Sequence, residues 1–404
     1  MTKTRVGSKP RARIARSPVA SLLARFDEQL AKSTPPVGHA SSGDDPFTAQ
    51  FADRVLATPD GPVIFEDPVL QAAWDAATCR DFYGTAGEGE ELDENFIHWI
   101  PLVLKLVRGK LARTREVLTP RSPMRDVQLP WPLRLAIFGD AGYRGLAQRT
   151  MLDLIKARHR TRPFDALIHL GDTYHGGSEA EMFRHLVVPL QRCQHELAGE
   201  NRPAVFSLCG NHDLYAGPDG YLGVLEAFDQ PGRYFAIEAG PVRIACLDST
   251  LDDHGMRRHG RLDDAQLAWL RTKQGDGKQL VALTHHVPRS AWQAGSVELR
   301  EQVASVPGLV AWYWGHEHRA VAFERDGFYG GCVGNGAFLE SRTACPDPRG
   351  VAWYPGRATC TCFQTRGSRY WPHGFLELDL SDAGIEESWH VEGGDEFKRQ
   401  LRPT

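Results

Sequence analysis

Five short apolar runs in this chain each end in residue types that bind metal ions. The first ends in Gly139-Asp140-Ala141-Gly142 and the second in Gly171-Asp172-Thr173-Tyr174-His175-Gly176-Gly177. The third ends in Gly210-Asn211-His212-Asp213, the fourth in Thr284-His285-His286 and the fifth in Gly315-His316-Glu317-His318. Carboxylate, amide and imidazole together suit Zn, Mn or Fe rather than a thiolate site or a calcium cage. There are more such groups than one ion needs. The set fits two ions about 3.5–4 Å apart, the arrangement used for in-line displacement at phosphorus.

The runs themselves read as buried strands: Leu133–Gly139, Ala166–Leu170, Ala204–Leu208, Leu280–Thr284 and Leu309–Trp314. Helical spacing marks Ala147–Arg158, Glu179–Gln194 and Leu262–Lys273 between them. Hairpins are expected where Tyr234–Ile237 meets Val242–Leu247 around Gly240-Pro241, and where Val321–Phe323 meets Tyr329–Val333 around Asp326-Gly327. The fold class is therefore α/β with mixed sheets. In open α/β sheets, sites form beyond the carboxyl ends of strands, where all five blocks lie.

The chain has 404 residues, a net charge of -4 and 42% hydrophobic residues. It can bury a sizeable core, and nothing in its charge balance marks a nucleic-acid binder. The eight cysteines are scattered. With no leader pattern at the N-terminus, reduced thiols and a cytoplasmic location are expected. Cys345, Cys360 and Cys362 match no standard zinc spacing.

Residues 1–48 read as a basic, flexible tail and linker, and 49–130 as a largely helical N-terminal extension. Within the extension, 96–113 carries an apolar stretch followed by bases. It is too short to span a bilayer and reads as a packed helix, with membrane contact the minority reading. Residues 131–395 form the main domain and 396–404 a C-terminal tail. No feature speaks to oligomeric state.

In order and in kind, the five blocks resemble those of the calcineurin-like metallophosphoesterases, over roughly Leu133 to Val391. The resemblance implies a sandwich of two mixed β-sheets flanked by helices. It also implies a hydrolase acting on a phosphoester, monoester or diester, with two divalent or trivalent transition-metal ions as cofactors. Asp140 and His318 resemble ligands of the first metal, and Asp172 the carboxylate bridging both. Asn211, His285 and His316 are similar to ligands of the second. A hydroxide bridging the metals is then the nucleophile. His212 resembles the catalytic general acid, with Asp213 behind it to orient the ring. Candidate substrate contacts are Tyr143, Arg144, His286 and Arg258.

One position departs from the family pattern. Many relatives carry a histidine where this chain has Gly142. Purple acid phosphatases also have glycine there and supply a tyrosine three residues after the bridging aspartate, where this chain has His175. The simplest reading is that His175 replaces the missing ligand, so that no tyrosinate colour develops; the alternative is that Tyr174 swings in or that the first site is weak. Some relatives keep the fold with an impaired site and act as scaffolds. Here the ligand positions are filled, which favours catalysis.

Overall fold

The alternation in Leu133–Phe138 shows how this chain builds its sheets. Leu133, Leu135 and Ile137 face one hydrophobic layer, Ala136 and Phe138 another, and the strand has no solvent face. The computed structural model describes residues 125–142, 145–174, 177, 179–197, 202–214, 218–251, 260–273, 276–292, 295–325, 328–338, 340, 349–355, 370–394 and 396–401. The tail, the linker, the helical extension up to residue 124 and the 96–113 stretch lie outside them. So do His175, Tyr143, Arg144, Arg258, Cys345, Cys360 and Cys362.

Fourteen strands among the described residues form two mixed sheets. The six-stranded sheet holds β2 (Leu133–Phe138), β3 (Ala166–His169), β4 (Ala204–Ser207), β12 (Gly374–Ser381), β13 (Gly384–Val391) and β14 (Glu396–Leu401), in the order β14-β13-β12-β2-β3-β4. The eight-stranded sheet holds β1 (Val127–Gln128), β5 (Phe235–Ala239), β6 (Val242–Cys246), β7 (Gln279–Thr284), β8 (Leu309–Trp314), β9 (Ala320–Arg325), β10 (Phe328–Val333) and β11 (Val351–Trp353). Its order is β1-β5-β6-β7-β8-β10-β9-β11. All five expected strands are present, and both expected hairpins pair antiparallel.

Two boundaries move. Glu396–Leu401, read as a tail, is an edge strand paired antiparallel with β13, and its Leu401 and Phe397 pack into the core. Val127–Gln128, assigned to the extension, pairs parallel with β5. Both are short edge strands held by backbone bonds, so hydrophobic patterning marks them poorly.

The sheets pack face to face through Leu135, Ile137, Ile168, Val281, Leu283, Tyr313 and Trp389. Helix α1 (Leu146–Thr161), α2 (Val188–Glu196) and α3 (Asp219–Ala227) cover the outer face of the six-stranded sheet. Helix α4 (Asp264–Thr272) and α5 (Val297–Ala304) cover the other sheet. Asp263 and Ser296 cap the last two, each accepting the backbone N–H three residues on. Among the described residues no helix is long and apolar enough to cross a membrane.

β2, β3 and β4 are parallel neighbours in one sheet, and β7 and β8 are parallel neighbours in the other. Their carboxyl ends meet where the sheets are laced together. Gly139 N–H donates to Val333 O at 2.7 Å and Gly336 N–H to Gly139 O at 3.0 Å.

The outer face of the six-stranded sheet carries an ion cluster. Glu377 meets Arg134 at 2.7 Å, His390 at 3.0 Å and Arg158 at 3.3 Å. Burial opposes its ionisation, but the His390 hydrogen bond and the Arg134 charge hold the carboxyl at about 2. Its stabilising contribution is complete above the ordinary value of 4.5 and is lost as pH falls through about 2. Glu377→Gln should therefore flatten the loss of stability across that window, read by circular dichroism during acid unfolding.

Candidate metal centre

Four of the five non-glycine residues with positive φ among those described are candidate ligands: Asp140 (56°), Asp172 (73°), His316 (73°) and His318 (52°). Left-handed backbone is strained for such residues and persists where the surrounding structure enforces it. Here the chain turns sharply at each strand end. Gly171, at φ 103°, lies so close to the next loop that a Cβ would stand 2.6 Å from Gly210 N. A Cβ on Gly210 would overlap the Asp172 carboxylate. Glycine at both positions lets the second and third loops share one site.

The donor atoms gather in two groups that share Asp172. In one, His285 Nε2 lies 3.1 Å from Asn211 Oδ1, 3.2 Å from His316 Nδ1 and 3.3 Å from Asp172 Oδ2. In the other, the Tyr174 hydroxyl lies 2.8 Å from Asp140 Oδ1, 2.8 Å from His318 Nε2 and 3.3 Å from Asp172 Oδ2. Asp172 Oδ2 thus faces both groups. The remaining carboxylate oxygens are tied to backbone: Asp172 Oδ1 accepts from His212 N–H at 2.8 Å, and Asp140 Oδ2 from His316 N–H at 2.7 Å. His285 Nδ1 donates to Leu170 O at 3.0 Å, which leaves Nε2 as the lone-pair nitrogen facing the group.

The electrostatics fit a cation. Burial opposes charge on His285, yet Asp172 raises it to about 9. Burial likewise opposes charge on His318, and Asp140 and Glu340 raise it to about 9. Burial, together with the Asp140 and Asp172 charges, holds the Tyr174 phenol well above its usual range. Against burial, His285 holds Asp172 well below the usual carboxylate range. The cluster therefore demands positive charge, supplied either by protons on the imidazoles or by metal ions. Asp172 with His285 and His316, and Asp140 with Asp172 and His318, each offer donors within 4.8 Å of one another.

The sequence reading gave the missing place in the first group to His175, with Tyr174 as the alternative. The structure brings Tyr174 in, fully buried, with its ring against His212, His318 and Phe338. His175 lies outside the described residues.

One expected role changes, and another narrows. Asp213 does not orient His212. Its Oδ2 accepts from Gly210 N–H at 2.7 Å and Asp172 N–H at 3.0 Å, and its Oδ1 from Thr173 N–H at 2.7 Å. It clamps the second and third loops together, while burial and the Asp172 charge push its carboxyl up to about 7. Asp213→Ala would leave three buried N–H groups without acceptors, costing about 3 kcal/mol or more in chemical denaturation. His286, expected as a neighbour of the ligands or on the substrate side, is fully buried beside the other histidines, with ring centroids 5.0 Å from His316 and 5.2 Å from His285. Ser249 Oγ accepts its backbone N–H and meets its Nδ1, both at 3.0 Å.

His212 is partly exposed on a turn of 3-10 helix (His212–Leu214), its ring 4.6 Å from that of Tyr174. Phe338 and Glu340 also border the site, and no sequence signal pointed to them. Phe338 packs against His318 at 4.2 Å, and a Glu340 carboxylate oxygen lies 3.7 Å from His318 Nδ1.

Residues 133–320 match the profile of the calcineurin-like phosphoesterases. Over those residues the chain is similar to that family. The resemblance drawn from the five blocks holds, and the metallophosphoesterase fold accounts for the two mixed sheets. Strands beyond the match, β10 and β12 among them, complete both sheets. No curated protein matches the chain significantly.

Among solved structures, similarity extends to GAP50, the anchor in the inner membrane complex of Plasmodium. The two share 13% identity over 67% of this chain and 89% of that one, with a TM-score of 0.48. Vps29 of Entamoeba histolytica, solved with zinc, shares 13% identity over 67% of this chain and 98% of its own, with a TM-score of 0.31. The phosphopantetheinyl hydrolase PptH of Mycobacterium tuberculosis shares 14% identity over 51% and 90%, with a TM-score of 0.30.

Proposed function

We propose that the protein is a binuclear-metal phosphoester hydrolase. The observation that carries this reading is the placement of one oxygen, Asp172 Oδ2, between two converging donor groups. Asp140, Tyr174 and His318 would hold one ion and Asn211, His285 and His316 the other, with Asp172 within reach of both. When bound, the ions polarise a phosphoryl group and lower the pKa of water.

The chain's own residues then do the following. His285 is fixed by Leu170 O, so its Nε2 needs no reorientation to serve as a ligand. Asp140 and Asp172 are each anchored by a backbone N–H, which holds their other oxygens in place. His212 stands at the accessible side of the cluster, where an imidazolium can give its proton to the departing ester oxygen.

The donor set with a phenol suits a hard ion, so the iron(III) form should show a visible phenolate-to-iron band that Tyr174→Phe lacks. The function is tested by hydrolysis of p-nitrophenyl phosphate and its bis ester after reconstitution with Mn, Zn or Fe. Turnover of either ester supports the reading, and the ratio separates monoesterase from diesterase. No turnover with metal bound would favour the scaffold role that other members of the fold fill.

A further inference from the structure

The helix that follows the second block is interrupted. After Glu179–Glu181 it widens into a π-helical turn over Met182–Val187, where Val188 N–H bonds Phe183 O five residues back, before α2 resumes. Such turns are rare and concentrate at functional sites. This one turns His185 inward. The ring is buried, and its Nδ1 donates to the backbone carbonyl of Tyr174 at 2.9 Å. The His185 carbonyl in turn accepts from Gln148 Nε2 at 2.5 Å. Gln148, buried in the first turns of α1, uses its second amide hydrogen on Ala141 O at 2.6 Å.

These bonds run without a gap from Ala141, next to Asp140, through Gln148 and His185 to Tyr174. They join the main chains that carry two donors of the Asp140–Asp172–His318 group. The three bonds from Ala141 to Tyr174 run through Gln148 and His185 and do not involve Asn211, His285 or His316. We infer that Gln148 and His185 are positioning residues that set the separation of Asp140 from Tyr174, and so tune one metal position and not the other. The inference rests on the binuclear reading above. The physical reason is that a donor set binds well only if its atoms are already spaced for the ion; backbone bonds from Asp140 N–H to Gly171 O and from Tyr174 N–H to Gly142 O tie the two loops together, and the Gln148–His185 bridge braces them from the helix side.

Manganese(II) titrated calorimetrically onto the chelator-treated full chain tests this. The wild type should show two binding events. Gln148→Met keeps the side-chain length but removes both donors, and should weaken one event about 10- to 100-fold while leaving the other unchanged. The iron(III) phenolate band should shift in parallel. His185→Asn, whose amide can still donate to Tyr174 O, should bind more like the wild type than His185→Ala does. If Gln148→Met does not fold, the His185 pair carries the decision. Two unaltered events in the variants would overturn the inference, as would equal weakening of both events in step with the melting temperature. A wild type that binds no manganese at all would instead overturn the binuclear reading itself.

Discussion

Asp172→Ala is expected to lose bound metal and turnover together, with hydrolysis falling to the level of buffer. Asp172 is fully buried, and its Oδ2 lies 3.3 Å from both His285 Nε2 and the Tyr174 hydroxyl. Truncation removes a donor from both groups at once. It also removes the acceptor for His212 N–H, one of the bonds that hold the third loop. Loss of a single ligand elsewhere, Asn211 for example, touches one group alone. Elemental analysis and ester hydrolysis on the same preparation of Asp172→Ala check this, and a variant that keeps two ions would contradict the sharing of Asp172.

His212→Ala should behave in the opposite way. Its side chain contributes no donor atom to either group, so metal content is expected to match the wild type. General acid catalysis is worth about 10²–10⁴-fold, and turnover should fall by that factor. The loss should be larger for esters with poor leaving groups, which need the proton, than for p-nitrophenolate, which hardly does. A uniform loss across leaving groups would point to a phosphate contact rather than proton transfer.

Much of the site was legible because its chemistry sits at strand ends. An apolar run that stops at Gly-Asp or Gly-Asn-His reveals both the strand and the group it delivers, and parallel neighbours bring those groups to one edge. Residue type and order put two aspartates, an asparagine and several histidines at one edge, the family resemblance singled out Asp140, Asp172, Asn211, His285, His316 and His318 among them, and the structure brings all six together.

What the sequence did not reveal depends on where side chains turn within the loops. Asp213 follows His212 in the chain, which suggested an imidazole partner. The 3-10 turn instead points it back at three backbone N–H groups. Spacing from Asp172 pointed to His175, whereas the adjacent Tyr174 is the residue seen turned into the group. Phe338 and Glu340 come from the loop after β10, downstream of its Asn335-Gly336 turn. The π-helical turn leaves the helical spacing of Glu179–Gln194 almost intact, so periodicity passes over it. β14 was missed because Glu396, Lys398 and Gln400 alternate with only two core residues, Phe397 and Leu401.

The central claim is that one donor set holds two ions and that those ions make the protein a phosphoester hydrolase. Adding metal stepwise to the chelator-treated full chain, while following hydrolysis of p-nitrophenyl phosphate and its bis ester, tests it most directly. The account predicts that turnover appears only with metal and stops rising at two equivalents per chain. Turnover that is present without metal, or absent with two ions bound, would contradict it.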